Sequence, residues 1–218
     1  MSGVCAVLGA GPGVGLAVAR RFAREGFAIG LAARSASRLE QEAAALGVPA
    51  SVAGADLSDP EAVAAALGAI AAALGAPTVL VWNAAGVTPG PAMALSVEAF
   101  ARDLALSVTG AFAAARAVYP AMRAAGGGTM LFTGGGLALN PGYGAGVASL
   151  TAGKSALRGL VHALAGELDG EGIHVGTVTI AGTVAPGTAF DPERIAERFW
   201  ALHAEPREGW TVEAVVSG

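Results

Sequence analysis

Gly9-Ala10-Gly11-Pro12-Gly13-Val14-Gly15 is the stretch that decides the fold of this chain. It follows an apolar run, Val4 to Leu8, that reads as a buried strand. It opens a segment from Gly13 to Glu25 in which Val14, Val18 and Phe22 recur at helical spacing before Gly26 ends it. Glycines at such a junction permit a tight turn and let backbone N–H groups approach a pyrophosphate, and the helix N-terminus adds partial positive charge. The spacing is G-x3-G-x-G rather than G-x-G-x-x-G. Alone it is a generic tight turn. At the first strand-to-helix junction of an alternating chain, Gly9, Gly11, Gly13, Val14 and Gly15 read as a phosphate cradle.

Working outward, the alternation continues. Strands are expected at 27–32, 50–53, 78–82, 129–132 and 173–180, with an edge strand at 211–216. Helices are expected at 37–46, from a Ser58 or Asp59 cap and Pro60 to Leu74, at 97–125, at 148–168 and at 192–203. Strand–helix order of this kind predicts parallel strands joined by right-handed crossovers. The expected fold is therefore α/β: a single-domain, Rossmann-type doubly wound parallel sheet with helices on both faces. It spans 1–218, with the glycine-rich cofactor half at about 1–90 and the site and substrate half at about 91–218.

Composition agrees with one buried sheet. Of 218 residues, 54% are apolar, only 14% are charged and 33 are Gly, a profile in which small residues let backbones pack closely. The net charge of −4 with no Lys/Arg run argues against nucleic-acid and anionic-membrane partners. A single cysteine, Cys5, excludes an internal disulfide and a cysteine-cluster metal site, and no metal is expected. The N-terminus lacks a basic region and runs straight into a strand, which predicts no signal peptide and a cytoplasmic location. Two stretches without formal charge, between Glu61 and Glu98 and between Arg123 and Lys154, are broken by Gly, Pro and Asn, so they read as buried helix plus strand rather than membrane spans.

The end of the second strand selects the cofactor. An NAD-type site places Asp or Glu there to accept from the ribose 2′-hydroxyl. This chain reads Leu31-Ala32-Ala33-Arg34-Ser35, with no acid. Arg34 can grip a 2′-phosphate with its planar fork and Ser35 can donate to it, so NADP(H) is expected over NAD(H).

With these pieces in place the chain resembles the short-chain dehydrogenase/reductase family over nearly its whole length. Leu8 through Gly15 resembles T-G-x3-G-x-G, with Leu8 in the usual Thr place. Asp56-Leu57 resembles the family's segment with an Asp after the third strand that binds the adenine ring, and Asn83-Ala84-Ala85-Gly86 resembles the N-A-G motif after the fourth. Ala181-Gly182-Thr183-Val184 resembles the P-G segment after the sixth, with Ala in the Pro place. The resemblance implies cofactor contacts from Asp56, Leu57, Asn83, Ala84 and Gly86, and a place for Thr183 and Val184 near the nicotinamide carboxamide. It also implies a small-molecule substrate, and a homodimer or homotetramer paired through the helices at about 97–125 and 148–168.

The family's active site uses Asn, Ser, Tyr and Lys, and here the chain departs from it. Leu106-Ser107-Val108-Thr109-Gly110 resembles V-N-L-T-G with Ser107 for Asn. Gly stands where the Ser is expected in Phe132-Thr133-Gly134-Gly135-Gly136. In Leu150-Thr151-Ala152-Gly153-Lys154, Leu150 takes the Tyr place and only Lys154 survives. A Tyr four residues before a Lys shares its helix face, and acid–base help of that kind is worth about 10²–10⁴-fold. The remaining catalytic candidates are Lys154, Ser107 and Tyr143. Tyr143 stands among glycines in Asn140-Pro141-Gly142-Tyr143-Gly144, able to swing inward or to act as a surface aromatic. Lys154 has a second role by resemblance, donating to the nicotinamide ribose. Thr133, Ser149 and Thr151 are hydroxyls too weakly acidic to serve alone, and His162 reads as a helix-packing residue. Phe199, Trp200 and Trp210 read either as pocket wall or as core. Two functions follow: an NADP(H)-dependent oxidoreductase with a non-standard proton donor, acting on a small carbonyl, alcohol or activated electrophile, or a catalytically inactive NADP(H)-binding sensor or partner-binding protein on the same scaffold.

Overall fold

The computed structural model of the protein describes residues 3–218. Its elements run β1 (Val4–Leu8), α1 (Val14–Arg24), β2 (Ala28–Ala33), α2 (Ala36–Ala44), β3 (Ala50–Gly54), α3 (Pro60–Leu74), β4 (Val79–Trp82), α4 (Val97–Leu104), α5 (Gly110–Ala124), β5 (Gly128–Gly135), α6 (Ala148–Leu168), β6 (Ile173–Ile180), α7 (Pro192–His203) and β7 (Glu213–Val216). The strands form one seven-stranded sheet in the order β3-β2-β1-β4-β5-β6-β7. Every neighbouring pair is parallel, as the alternation predicts.

Both faces of the sheet are covered. On one, α3, α5 and α6 bury Leu67, Ile70, Val118, Met122 and Leu157 against Trp82 and Phe132. On the other, α1, α2 and α7 bury Val18, Phe22, Leu39, Ile195 and Phe199 against Val7, Leu31 and Val81. Burial of each large apolar side chain is worth about 1.5–3 kcal/mol, so the two cores together hold the helices down. The α1–α7 contact has a polar rim as well: Arg20 and Arg24 bind Glu193, and Arg21 binds Glu197 while lying 4.6 Å over the Trp200 ring.

That packing settles the aromatic residues. Phe199 is fully buried and Trp200 meets Phe22 edge-on, so both are core. Trp210 stacks on His174 near the amino end of β6, away from the strand ends that carry the glycine turn.

Two features differ from the sequence expectation. β5 continues three residues past Phe132, paired with β6 through Gly135, and Thr177 and Thr179 of β6 fill the space where a side chain at Gly134 would stand. The helical stretch at 97–125 contains a turn of π-helix, Ala105–Thr109, between α4 and α5. That stretch, Val97–Ala124, is also long and apolar enough by length and composition to cross a membrane. Here it lies against the sheet through Ala111, Ala114, Val118 and Met122.

Strand order reverses between β1 and β4, and ligands of such sheets bind in the crevice beyond the carboxyl ends at that point. The glycine turn leaves β1 there and Asn83 leaves β4.

Candidate functional site

Four glycines of the first turn divide into two jobs. Gly9 has φ of 86°, and a Cβ on it would strike the backbone of Asn83 and Ala84. A Cβ on Gly15 would lie 2.7 Å from the Gly9 carbonyl oxygen, so its absence lets α1 close onto the turn. Gly11 and Gly13 are the open side: a Cβ on either would meet nothing within 4 Å. No side chain caps the first turn of α1: the Leu16 N–H donates to the Gly11 oxygen, and the N–H groups of Val14 and Gly15 are without a partner among the described residues. A pyrophosphate suits this cradle, since it brings the acceptors and the negative charge that the turn lacks.

Asn83 fixes the floor. Its Nδ2 donates to the Gly9 oxygen at 2.9 Å, and its Oδ1 accepts from the Thr133 hydroxyl at 2.8 Å. One side chain thereby ties together the exits of β1, β4 and β5. It also borders two cavities, of about 590 and 530 Å³.

The smaller cavity is lined by Gly9, Gly11, Arg34, Asp56, Leu57, Ala84 and Gly86. Arg34 is exposed and has no carboxylate within ion-pair distance among the described residues, so its fork is free for a ligand anion. Ser35 is the N-cap of α2, yet its hydroxyl makes no capping bond. Asp56 accepts from the Ser58 hydroxyl at 2.7 Å and from the Ser58 N–H at 3.0 Å. Those bonds hold its carboxyl below the usual range, and the Arg34 charge adds to the effect. Leu57 is buried beneath it.

The larger cavity holds Lys154. This residue is 9% exposed, and its Nζ donates to the Thr133 carbonyl oxygen at 2.6 Å. Burial pushes its pKa down from 10.5 to about 8. Leu150, one helical turn earlier, lines the same cavity and presents only carbon. Gly135, at the end of β5, lies against the lysine stem: a Cβ there would stand 3.2 Å from the Lys154 Cγ. Ile180, Ala181, Gly182 and Val184 close the far side, and Thr183 is exposed next to them without lining the cavity. Tyr143 lines the mouth on a short helical turn, Pro141–Gly144, and is 83% exposed.

Ser107 borders neither cavity. It sits in the π-helical turn, fully buried, and its Oγ accepts from the Gly86 N–H at 2.9 Å while its side chain packs where Gly153 of α6 has no Cβ. Its job is to join α4, α6 and the loop after β4. Ser149 behaves similarly: its hydroxyl donates to buried Asp103 at 2.6 Å and accepts from the Thr88 N–H. Thr151 bonds the Val147 carbonyl at the start of α6. His162 is 3.6 Å from Glu213, which also receives Arg158 and the Thr179 hydroxyl.

Sequence reasoning missed the Asn83–Thr133–Lys154 chain and the Asp103–Ser149 pair. A buried acid at 103 in an otherwise apolar helix face was the only signal available for the second. The first depends on strand register, which no local pattern states.

Comparison with known proteins adds to this geometry. Residues 3–194 match the family described as short chain dehydrogenase. The protein named inactive 2-(S)-hydroxypropyl-CoM dehydrogenase 2, from Xanthobacter autotrophicus, is 35% identical over 83% of this chain and 81% of its own length. A metagenomic short-chain oxidoreductase solved with NADP is 30% identical, with 99% of this chain and 96% of that one covered at a TM-score of 0.85. L-sorbose reductase from Gluconobacter frateurii, solved with NADPH and L-sorbose, is 26% identical, with 99% and 95% covered at a TM-score of 0.90.

Proposed function

The chain belongs to the short-chain dehydrogenase family, and from that premise we propose that it is an NADP(H)-dependent oxidoreductase working without the family's Tyr and Ser. The observation that carries this reading is the continuity of the site. The open glycine cradle, unpaired Arg34 and buried Lys154 lie along one crevice, with Asn83 between its two cavities. Gly11, Gly13 and the first turn of α1 would hold the pyrophosphate, Arg34 and Ser35 the 2′-phosphate, and Lys154 the nicotinamide ribose. Asp56 and Leu57 would border the adenine. A nicotinamide held there would supply or accept hydride. The protein's part is to orient it with Asn83 and the residues at 181–184, to exclude water with Leu137, Leu150, Ile180 and Val184, and to place a buried ammonium beside the reacting oxygen. Leu150 and Gly135 offer no proton to that oxygen, so electrophiles needing little protonic help suit the site: activated carbonyls, imines or quinones.

The L-sorbose reductase and metagenomic oxidoreductase support the cofactor reading through the NADPH and NADP bound in them. Copies of the chain are proposed to pair through α5 and α6, where Phe112 is an exposed aromatic on the outer surface. A second reading is favoured by one observation: a relative 35% identical carries the name of an inactive dehydrogenase. In that reading the protein binds NADP(H) and signals rather than turns over. A panel of electrophiles with NADPH separates the two. The first reading expects oxidation of NADPH by at least one compound, lost in Gly13→Asp, where a charged side chain enters a backbone position with φ of 122°. Cofactor binding with no turnover above that variant leaves the sensor reading.

A further inference from the structure

Among the described residues, Lys154 is a buried charge without a counter-charge. Its one protein partner among the described residues is the Thr133 carbonyl, a neutral acceptor that takes one of three N–H groups. No Asp or Glu lines its cavity, and the one titratable neighbour there, Tyr143, stands at the mouth. The Asn83 Oδ1, the other nearby acceptor, is taken by the Thr133 hydroxyl. A ribose hydroxyl can use a second N–H and still leaves the charge unbalanced. Burying an ammonium this way is costly unless something anionic meets it.

The rest of the cavity says which anion. Leu137, Leu150, Ile180 and Val184 give it apolar walls, and no Arg or second Lys lines it. A carboxylate or phosphate spreads its charge over two or three oxygens, most of which one ammonium would leave without a donor. A phenolate or enolate presents a single charged oxygen to the ammonium and shares the rest of its charge with a flat conjugated frame that suits apolar walls. We infer that the cavity beside Lys154 binds the phenolate or enolate form of a flat, uncharged conjugated carbonyl compound, with the Lys154 ammonium donating to its oxygen. The inference rests on the oxidoreductase reading, in which such an anion is the reduced form of a quinone or enone before solvent protonates it. Water then serves as the proton source, and the hydroxyls missing at 135 and 150 are not needed.

The test uses 4-nitrophenol, whose anion is coloured and whose neutral form is not. The purified protein is titrated with it near neutral pH, with and without NADP+, and NADP+ binding is measured separately by calorimetry. The bound dye is expected to ionise about one to three pH units below the free dye, the range for an opposite charge close by, which is ~10- to 1000-fold tighter binding of the anion. Lys154→Met should abolish the shift and Lys154→Arg should keep it, both with native circular dichroism. Benzoate should displace the dye weakly. An unshifted dye, a shift that survives in Lys154→Met, or displacement by benzoate as strong as by a second nitrophenol each overturns the inference. NADP+ binding without a dye shift would fail this inference alone. A Lys154-dependent shift in a protein that binds no NADP+ would uphold the anion site and fail the oxidoreductase reading.

Discussion

At the scale of single residues, Lys154 is the proposed centre of the chemistry and it carries a cost. Its pKa in the fold is about 8 against 10.5 outside it, the result of burial. Below about pH 8 the side chain is charged in both states, and the folded state bears the whole penalty, ~3 kcal/mol at 1.36 kcal/mol per pH unit. Between pH 8 and 10.5 the unfolded chain holds more protons than the folded one, so stability rises with pH and the penalty fades. Lys154→Met should therefore raise the melting temperature at pH 7, even after losing the bond to Thr133, which is worth about 1 kcal/mol. The gain should shrink as pH rises from 8 to 10.5, and a constant difference across that window would contradict the burial argument. Lys154 was read from the resemblance and Arg34 from its place at the end of the second strand, and the structure buries the one and leaves the other exposed. The place of Ser107 was not legible in the sequence. Its resemblance to the family's Asn pointed to the site, but the hydroxyl faces the Gly86 N–H instead. That hydroxyl sits in the π-helical turn, which no sequence pattern announced.

At the scale of elements, the end of β5 and the first turns of α6 decide what the site lacks. Helical spacing puts Leu150 and Lys154 on one face, and that much follows from sequence. The place of Gly135 does not. A run of three glycines reads as a loop, whereas β5 stays paired with β6 through Gly135 and sets it against the lysine stem. Its backbone is extended, with φ of −151°, a conformation any residue adopts. A serine side chain there needs only a small shift of the flexible Lys154 stem. The double variant Gly135→Ser with Leu150→Tyr should then gain reduction of unactivated ketones by NADPH, on the order of 10²–10⁴-fold over the wild type, the usual worth of acid–base help. Initial rates with a simple aliphatic ketone measure it. A folded double variant that binds NADPH and gains nothing would show that more than two hydroxyls separates this site from a ketone reductase.

At the scale of the whole molecule, the sheet gathers the glycine turn, Arg34, Asp56, Asn83 and Lys154 at the carboxyl ends of its strands. Alternating strands and helices made this arrangement readable, since parallel order forces all β-to-α junctions to the same edge. The structure adds what the alternation cannot state: Asn83 as the tie between three strand exits, and arginines of α1 clamping α7 beside the crevice. Composition gave no hint of those ties, because each joins residues far apart in the chain and conventional in type. The central claim is that this crevice takes a nicotinamide dinucleotide bearing a 2′-phosphate. Its most direct test is a fluorescence titration of the wild-type protein with NADPH and, in parallel, NADH. The account predicts tighter binding of NADPH by roughly 10- to 100-fold, the worth of charge-assisted hydrogen bonds from Arg34, and loss of that preference in Arg34→Ala. Equal affinity for the two, or tighter binding of NADH, would contradict it.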